Sequence, residues 1–277
     1  MFRNPQAVNP EQHGQLKLSN TPDYRYCAGE MATPFVSGEM WQIAREFITV
    51  FPLAADGLPL AILGSQQGVN AYVGDGSAGT PPWWGRYVPA HLRRYPFILA
   101  PRAAEAGDAA TDQRFTLCLD ADAPQLNSVQ GRPLFTHDGQ SAELLAEVQQ
   151  ALSGLQRDFA ITQKLVQQID AAGLLVEHTL QLPRAGLAPA ALSGFRVVDP
   201  AKLRSTAPAL LAELAQTGAL DLIYAHMGSL TNLHDGLLAK KHTLQPSPAT
   251  AATPGAAPGL QGLDIDALLA GSGTLKL

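Results

Sequence analysis

The sequence predicts an α+β fold, an N-terminal antiparallel sheet with short helices followed by a helical C-terminal half. Two patterns predict it. Short runs of β-branched and aromatic residues recur between Ile48 and Leu119 with turn residues between them. From Leu145 the apolar spacing becomes helical, through Val148, Leu152, Leu155, Phe159 and Leu165. The chain has 277 residues, 46% hydrophobic and 16% charged, so it can bury a sizeable core. We divide it into an irregular arm over 1–34, an α+β domain over 35–242 and a flexible tail over 243–277.

The arm is polar and rich in Asn, Gln and Pro, with Tyr24, Tyr26 and Phe35 as its packing points. Ser37 can cap a helix running to Glu46, whose buried stripe is Met40, Ile43, Ala44 and Phe47. Ile48 to Leu53 reads as a strand, Asp56-Gly57 as a turn, Leu58 to Leu63 as the returning strand, and Val69 to Val73 as a third member of an antiparallel meander. Phe97 to Ala100 and Phe115 to Leu119 follow as strands, joined by an Ala/Asp/Glu-rich loop. Ser141 can open the long helix that stops at Gly173, with Ser153-Gly154 as a point of weakness. Leu174 to Leu182 and Phe195 to Val198 are strand candidates around an Ala/Pro loop. Asp199-Pro200 starts one helix by cap and proline, and Thr206 with Pro208 starts another that ends at Gly218. A last helix spans about Leu220 to Lys241, with small residues Ala225, Gly228, Ser229, Asn232 and Gly236 along one stripe, where another backbone can approach closely. Beyond Leu244 the composition turns to Pro, Ala, Thr and Gly, which reads as a disordered linker ending in an amphipathic segment, Leu260 to Leu269.

The segment from Trp83 to Phe97 organises the rest. Pro89 favours a helix start and Pro96 removes Tyr95 from helical space, so a short helix from Pro89 to about Arg94 is predicted. Val88, Leu92 and Tyr95 share one face, and Tyr87, His91 and Arg94 a neighbouring one. Arg93 and Arg94 are consecutive, so at least one points away from the core. A structural account pairs Arg86 and Arg94 with carboxylates such as Glu46 and stacks them on Tyr87 or Trp84. A functional account has them grip a carboxylate or a partner's acidic segment, with the tryptophans as anchors.

The bulk properties narrow the function. A formal charge of -5 leaves no general basic surface for nucleic acid or acidic lipid. Cys27 and Cys118 form no metal or redox motif and read as reduced and buried. The N-terminus lacks the apolar core of a signal peptide, and no run reaches the ~20 apolar residues of a membrane span, which points to a soluble cytoplasmic protein. No phosphate loop, nucleophile elbow or metal-helix motif is found. Asp120 and Asp122 read as a strand end and turn ahead of a cation site. His226 and His234 read as core or capping histidines, since no further ligand lies at short spacing.

Gly85-Arg86-Tyr87-Val88-Pro89-Ala90-His91-Leu92-Arg93-Arg94-Tyr95-Pro96-Phe97 resembles the most recognisable block of the bacterial SapC family. The resemblance continues through Leu134-Phe135, Asp138-Gly139, Gly194 to Asp199, and Gly218 to Leu233, covering roughly 35–238. The permease label that some members carry does not suit a chain without a membrane span. Members tend to be encoded near TonB-dependent receptors, halogenase-like proteins and cupin-like oxygenases. This implies an accessory to uptake or to peptide modification, with a protein partner such as a halogenase-like or cupin-like enzyme. The resemblance carries no catalytic residue, metal ligand or cofactor with it.

The leading expectation is therefore a non-catalytic binding or adaptor protein, with homo-oligomerisation left open. Its candidate binding residues are Trp84, Arg86, Tyr87, His91, Arg93, Arg94, Tyr95, His226 and Asn232. The alternatives are a metal-dependent oxygenase-like or peptide-modifying enzyme using some of His91, His137, His226 and His234, and a surface-layer-associated protein.

Overall fold

The structure is a computed structural model and describes residues 1–77, 79–101, 115–183 and 188–244. The Ala/Asp/Glu-rich loop and the linker with its amphipathic segment lie outside these residues.

The first 34 residues, expected to be irregular, carry β1 (Pro5–Ala7), α1 (Pro10–His13), β2 (Lys17–Leu18), a 3₁₀ turn (Arg25–Cys27) and β3 (Ala32–Pro34). A second 3₁₀ turn (Ser37–Glu39) leads into α2 (Met40–Ala44), β4 (Ile48–Val50), β5 (Leu60–Ile62), α3 (Ala90–Arg93), β6 (Phe97–Pro101) and β7 (Phe115–Asp120). Next come β8 (Leu126–Asn127), β9 (Arg132–Pro133), α4 (Glu143–Ala171), β10 (Leu175–Glu177), β11 (Leu180–Leu182), β12 (Ala190–Leu192) and β13 (Arg196–Val198). The C-terminal helices are α5 (Pro200–Arg204), α6 (Pro208–Thr217), α7 (Ala219–Ser229), α8 (Asn232–Asp235) and α9 (Leu237–Leu244). The fold is α+β, with antiparallel pairing throughout the described ladders.

The polar arm is ordered because its backbone groups find partners on distant strands. β1 pairs with β7 at the edge of the sheet β1-β7-β6, and β3 pairs with β5 in the sheet β3-β5-β4. Such edge strands need hydrogen-bond partners more than they need apolar alternation, so composition hides them. Val69 to Val73 is not a strand. The Asn70 side chain accepts from Tyr72 N (2.9 Å) and donates to Cys27 O (3.0 Å), replacing a ladder with a side-chain-built turn. Conversely, β12 appears inside the Ala/Pro passage, where alanine's weak strand preference concealed it, and buries Ala190 and Leu192 in the same core as β4 and β5.

Helix α4 runs unbroken through Ser153-Gly154 and packs against α7 and β6. Its C-terminal half supplies Leu165, Val166 and Ile169 to the main core, which also holds Phe47, Tyr72, Leu92, Leu222 and Ile223. The N-terminal half covers β6 and β7 through Leu144, Leu145 and Leu152. Helix α5 is capped as expected, with the Asp199 carboxylate accepting from Ala201 N at 2.8 Å. Gly218 closes α6 in the left-handed region, φ 87°, where any Cβ would be strained.

The single helix expected from Leu220 to Lys241 is three. Tight turns follow Ser229, and Gly236 is extended between α8 and α9. Asn232 holds the break in place by donating to Ala44 O (2.9 Å) and Phe47 O (3.0 Å), which fixes the C-terminal helices to the end of α2. His226 and His234 therefore do not share a face: His226 is buried and His234 is exposed.

Candidate functional site

The segment from Trp83 to Phe97 is held by three carboxylates that lie far from it in sequence. Glu46, just after α2, accepts from Arg86 N (2.8 Å to Oε1, 3.0 Å to Oε2) and Tyr87 N (3.0 Å). Glu39 accepts from Ala90 N (2.8 Å), Tyr87 Oη (2.7 Å) and Val36 N (3.2 Å). Asp120, fully buried at the end of β7, accepts from Tyr95 Oη (3.0 Å) and from Arg3 N and Asn4 N (both 2.9 Å). Backbone amides thus satisfy the carboxylates, and the arginines of the block are not consumed in doing so. Burial raises the Glu39 and Glu46 carboxyls, opposed by these hydrogen bonds. Tyr87 is pushed up to about 12 by burial and by Glu39.

Gly85 makes the Glu46 grip possible. A Cβ there would lie 2.3 Å from Glu46 Oε1 and 2.6 Å from Trp83 Nε1, closer than any side chain can sit. The two tryptophans divide. Trp83 turns inward, stacks on Tyr72 (5.5 Å between centroids) and donates Nε1 to Tyr87 O at 2.8 Å, whereas Trp84 is 47% exposed.

The arginines also divide. Arg93 is exposed, its guanidinium 5.2 Å above the Tyr87 ring with Nη2 donating to Tyr87 Oη at 3.0 Å. Arg86 is exposed beside Glu46, which it touches through its backbone amide and not through a side-chain ion pair. Arg94, which the functional account had gripping an external carboxylate, is only 8% exposed. Its Nη2 donates to His91 Nε2 at 3.2 Å, the Phe2 ring lies 5.5 Å from its Cζ, and its Nε has no hydrogen-bond partner among the described residues. Burial lowers Arg94 to about 10 and pushes the His91 imidazole well below its ordinary value, so His91 is the neutral acceptor in that contact.

Two cavities flank Tyr87, which lines both. One, of about 490 Å³, is polar and gathers Trp84, Arg86, Tyr87 and Asn232 with Arg45, Glu46, Asp235 and Lys240. The other, of about 550 Å³, lies between the block and α4 and gathers Tyr87, Arg93, Arg94 and Tyr95. The structure thus brings together eight of the nine candidate residues, counting His91 through its contact with Arg94. His226 stands apart, in the core. It is 2% exposed, its Nε2 accepts from Val198 N at 3.2 Å and its Nδ1 meets Thr49 Oγ1 at 3.3 Å, so a binding role is replaced by a structural one. His137 is exposed in the turn before α4, and the histidines considered for metal chemistry sit in separate environments. Among the described residues, no three His, Cys, Asp or Glu side chains are grouped to hold a metal ion.

Sequence reasoning missed Glu39, Phe2 and the role of Gly85. The available signal was a glutamate set in an apolar helix stripe beside Met40, since glutamate is seldom buried without partners. Phe2 carried no signal, because only the chain's path brings it to Arg94.

A family model described as SapC matches residues 8–235. No curated protein and no solved structure matches the chain. Among the described residues, no helix is long and apolar enough to cross a membrane.

Proposed function

The chain belongs to the SapC family, and from that premise we propose that it is a cytoplasmic, non-catalytic adaptor that binds a protein partner in uptake or in peptide or amino-acid modification. One observation carries the reading. The block from Trp83 to Phe97 is immobilised through its backbone, by Glu39 and Glu46, so that Trp84 and Arg86 are presented at a polar cleft. A surface built this way loses little backbone freedom on binding, which favours recognition. Half-exposed tryptophan and arginine are the residue types that dominate binding energy at protein interfaces. Among the described residues, Arg45 and Arg86 face the cleft on a protein of net charge -5, and Glu46, one of the two carboxylates there, is already occupied by amides. An acidic segment carrying an apolar side chain fits that surface.

Co-purification tests the proposal. The full chain, tagged and expressed in its native host, is expected to retain a stoichiometric partner at moderate ionic strength. The double variant Trp84→Ala, Arg86→Glu is expected to lose that partner while keeping its fold. Elution of the natural sequence as a lone monomer, or equal retention by both proteins, would remove the basis for the adaptor reading.

A further inference from the structure

The second cavity carries an inference independent of any protein partner. Its wall on the α4 side is apolar, built from Val148, Leu152 and Leu155, and Phe97 of β6 continues it. Four charged side chains also line it, and three of them leave no countercharge for the fourth. Glu39 accepts from two amides and the Tyr87 hydroxyl and makes no ion pair with Arg94 among the described residues. Arg93 is engaged with Tyr87 at the rim. Asp158, on α4, makes no ion pair with Arg94 among the described residues. Arg94 remains, more than nine-tenths buried, with Nε unpartnered among the described residues and Nη2 resting on a neutral histidine whose own Nδ1 is likewise buried without a partner among them. A buried guanidinium without a carboxylate is costly, and a fold that keeps one at the wall of a cavity has the chemistry to take up an anion there.

The surroundings select the anion. A planar guanidinium edge matches a carboxylate, while Glu39 and Asp158 at the same cavity disfavour a doubly charged phosphate. The apolar α4 wall calls for a hydrocarbon body, and about 550 Å³ is the size of a small-molecule site. We propose that this cavity binds a small monocarboxylic acid with an apolar body, its carboxylate held by Arg94 and its hydrocarbon part laid against Val148, Leu152 and Leu155. Such a group occurs both in a medium-chain fatty acid and in an apolar amino acid.

Isothermal titration of the full chain with sodium octanoate, octanamide and L-phenylalanine tests the site. At least one of the two acids is expected to bind at sub-millimolar concentration, and octanamide at least tenfold more weakly than octanoate wherever octanoate binds. Octanoate alone marks a fatty-acid source and L-phenylalanine alone an amino-acid source. Arg94→Gln is expected to weaken the bound acid at least tenfold. Gly154→Phe leaves Arg94 untouched and blocks the cavity from α4. A Cβ at Gly154 meets only Arg157 Nη2, at 3.8 Å, so the helix accepts the substitution, and binding is expected to be lost. Failure of both acids to bind the natural protein at millimolar concentration would overturn the proposal, as would octanamide matching octanoate or Arg94→Gln binding unchanged. The acid-against-amide comparison stands on the natural protein even if neither variant folds.

Discussion

Replacing Arg94 by methionine should stabilise the ligand-free protein, the reverse of what truncating a buried arginine normally does. Burial lowers the guanidinium to about 10. At ~1.4 kcal/mol for each tenfold change in proton affinity, that places roughly 3 kcal/mol against the charged form. The side chain is 8% exposed, so solvent screening removes little of this. Against it stand the contact with Phe2, about 1 kcal/mol, and the hydrogen bond to His91 Nε2, also about 1 kcal/mol. Methionine keeps a flexible chain of similar length against the same walls. The expected net gain is about 1 kcal/mol, whereas removing one partner of a buried ion pair typically costs about 3–5 kcal/mol. Urea unfolding of both proteins at pH 7 separates the two outcomes by midpoint at constant slope. Loss of more than about 1 kcal/mol would show that Arg94 has a compensating anion within the protein, and would refute the charge accounting. With a saturating acid ligand the order should invert, because only the natural sequence gains from binding.

Three other outcomes are expected. His226 is lowered to about 4 by burial, so the unfolded chain takes up a proton on this residue below about pH 6.5 while the folded chain does not. Its contribution is present above that pH and is lost as the pH falls towards 4, about 3 kcal/mol in all, and an acid-unfolding series should flatten in His226→Gln. Glu46→Ala strips the acceptor from Arg86 N and Tyr87 N; a loss of about 2 kcal/mol and faster amide exchange confined to the block are expected by hydrogen-exchange mass spectrometry. Gly85→Ala sets a Cβ against Glu46 and Trp83 and should cost about 1–3 kcal/mol in thermal or urea unfolding, so a neutral result would contradict the close approach.

Legibility in the sequence followed the range of the interactions. Helix α3 between two prolines, α5 behind Asp199, α6 closed by Gly218 and the stripe of α4 all rest on contacts within a few residues, and each was readable. The α+β class and the family were readable for the same reason, since periodicity and a contiguous block carry them. The pairing of β1 with β7 and of β3 with β5, the turn built by Asn70 and the break at Asn232 were not, because each depends on a partner that the local residues do not name.

Local residue order marks out an aromatic and arginine-rich segment and places a short helix between its two prolines. It also required that Arg93 and Arg94 face different surroundings. That Arg94 is the one enclosed follows from packing, because enclosure comes from Phe2 and from the α4 face on the other side of the cavity. Packing likewise assigned Glu39 and Glu46 to backbone amides 40 to 51 residues away. A helix or cap is specified by its own neighbours, but the burial of a charge and the identity of its partner are properties of packing between segments that have no sequence relation to one another.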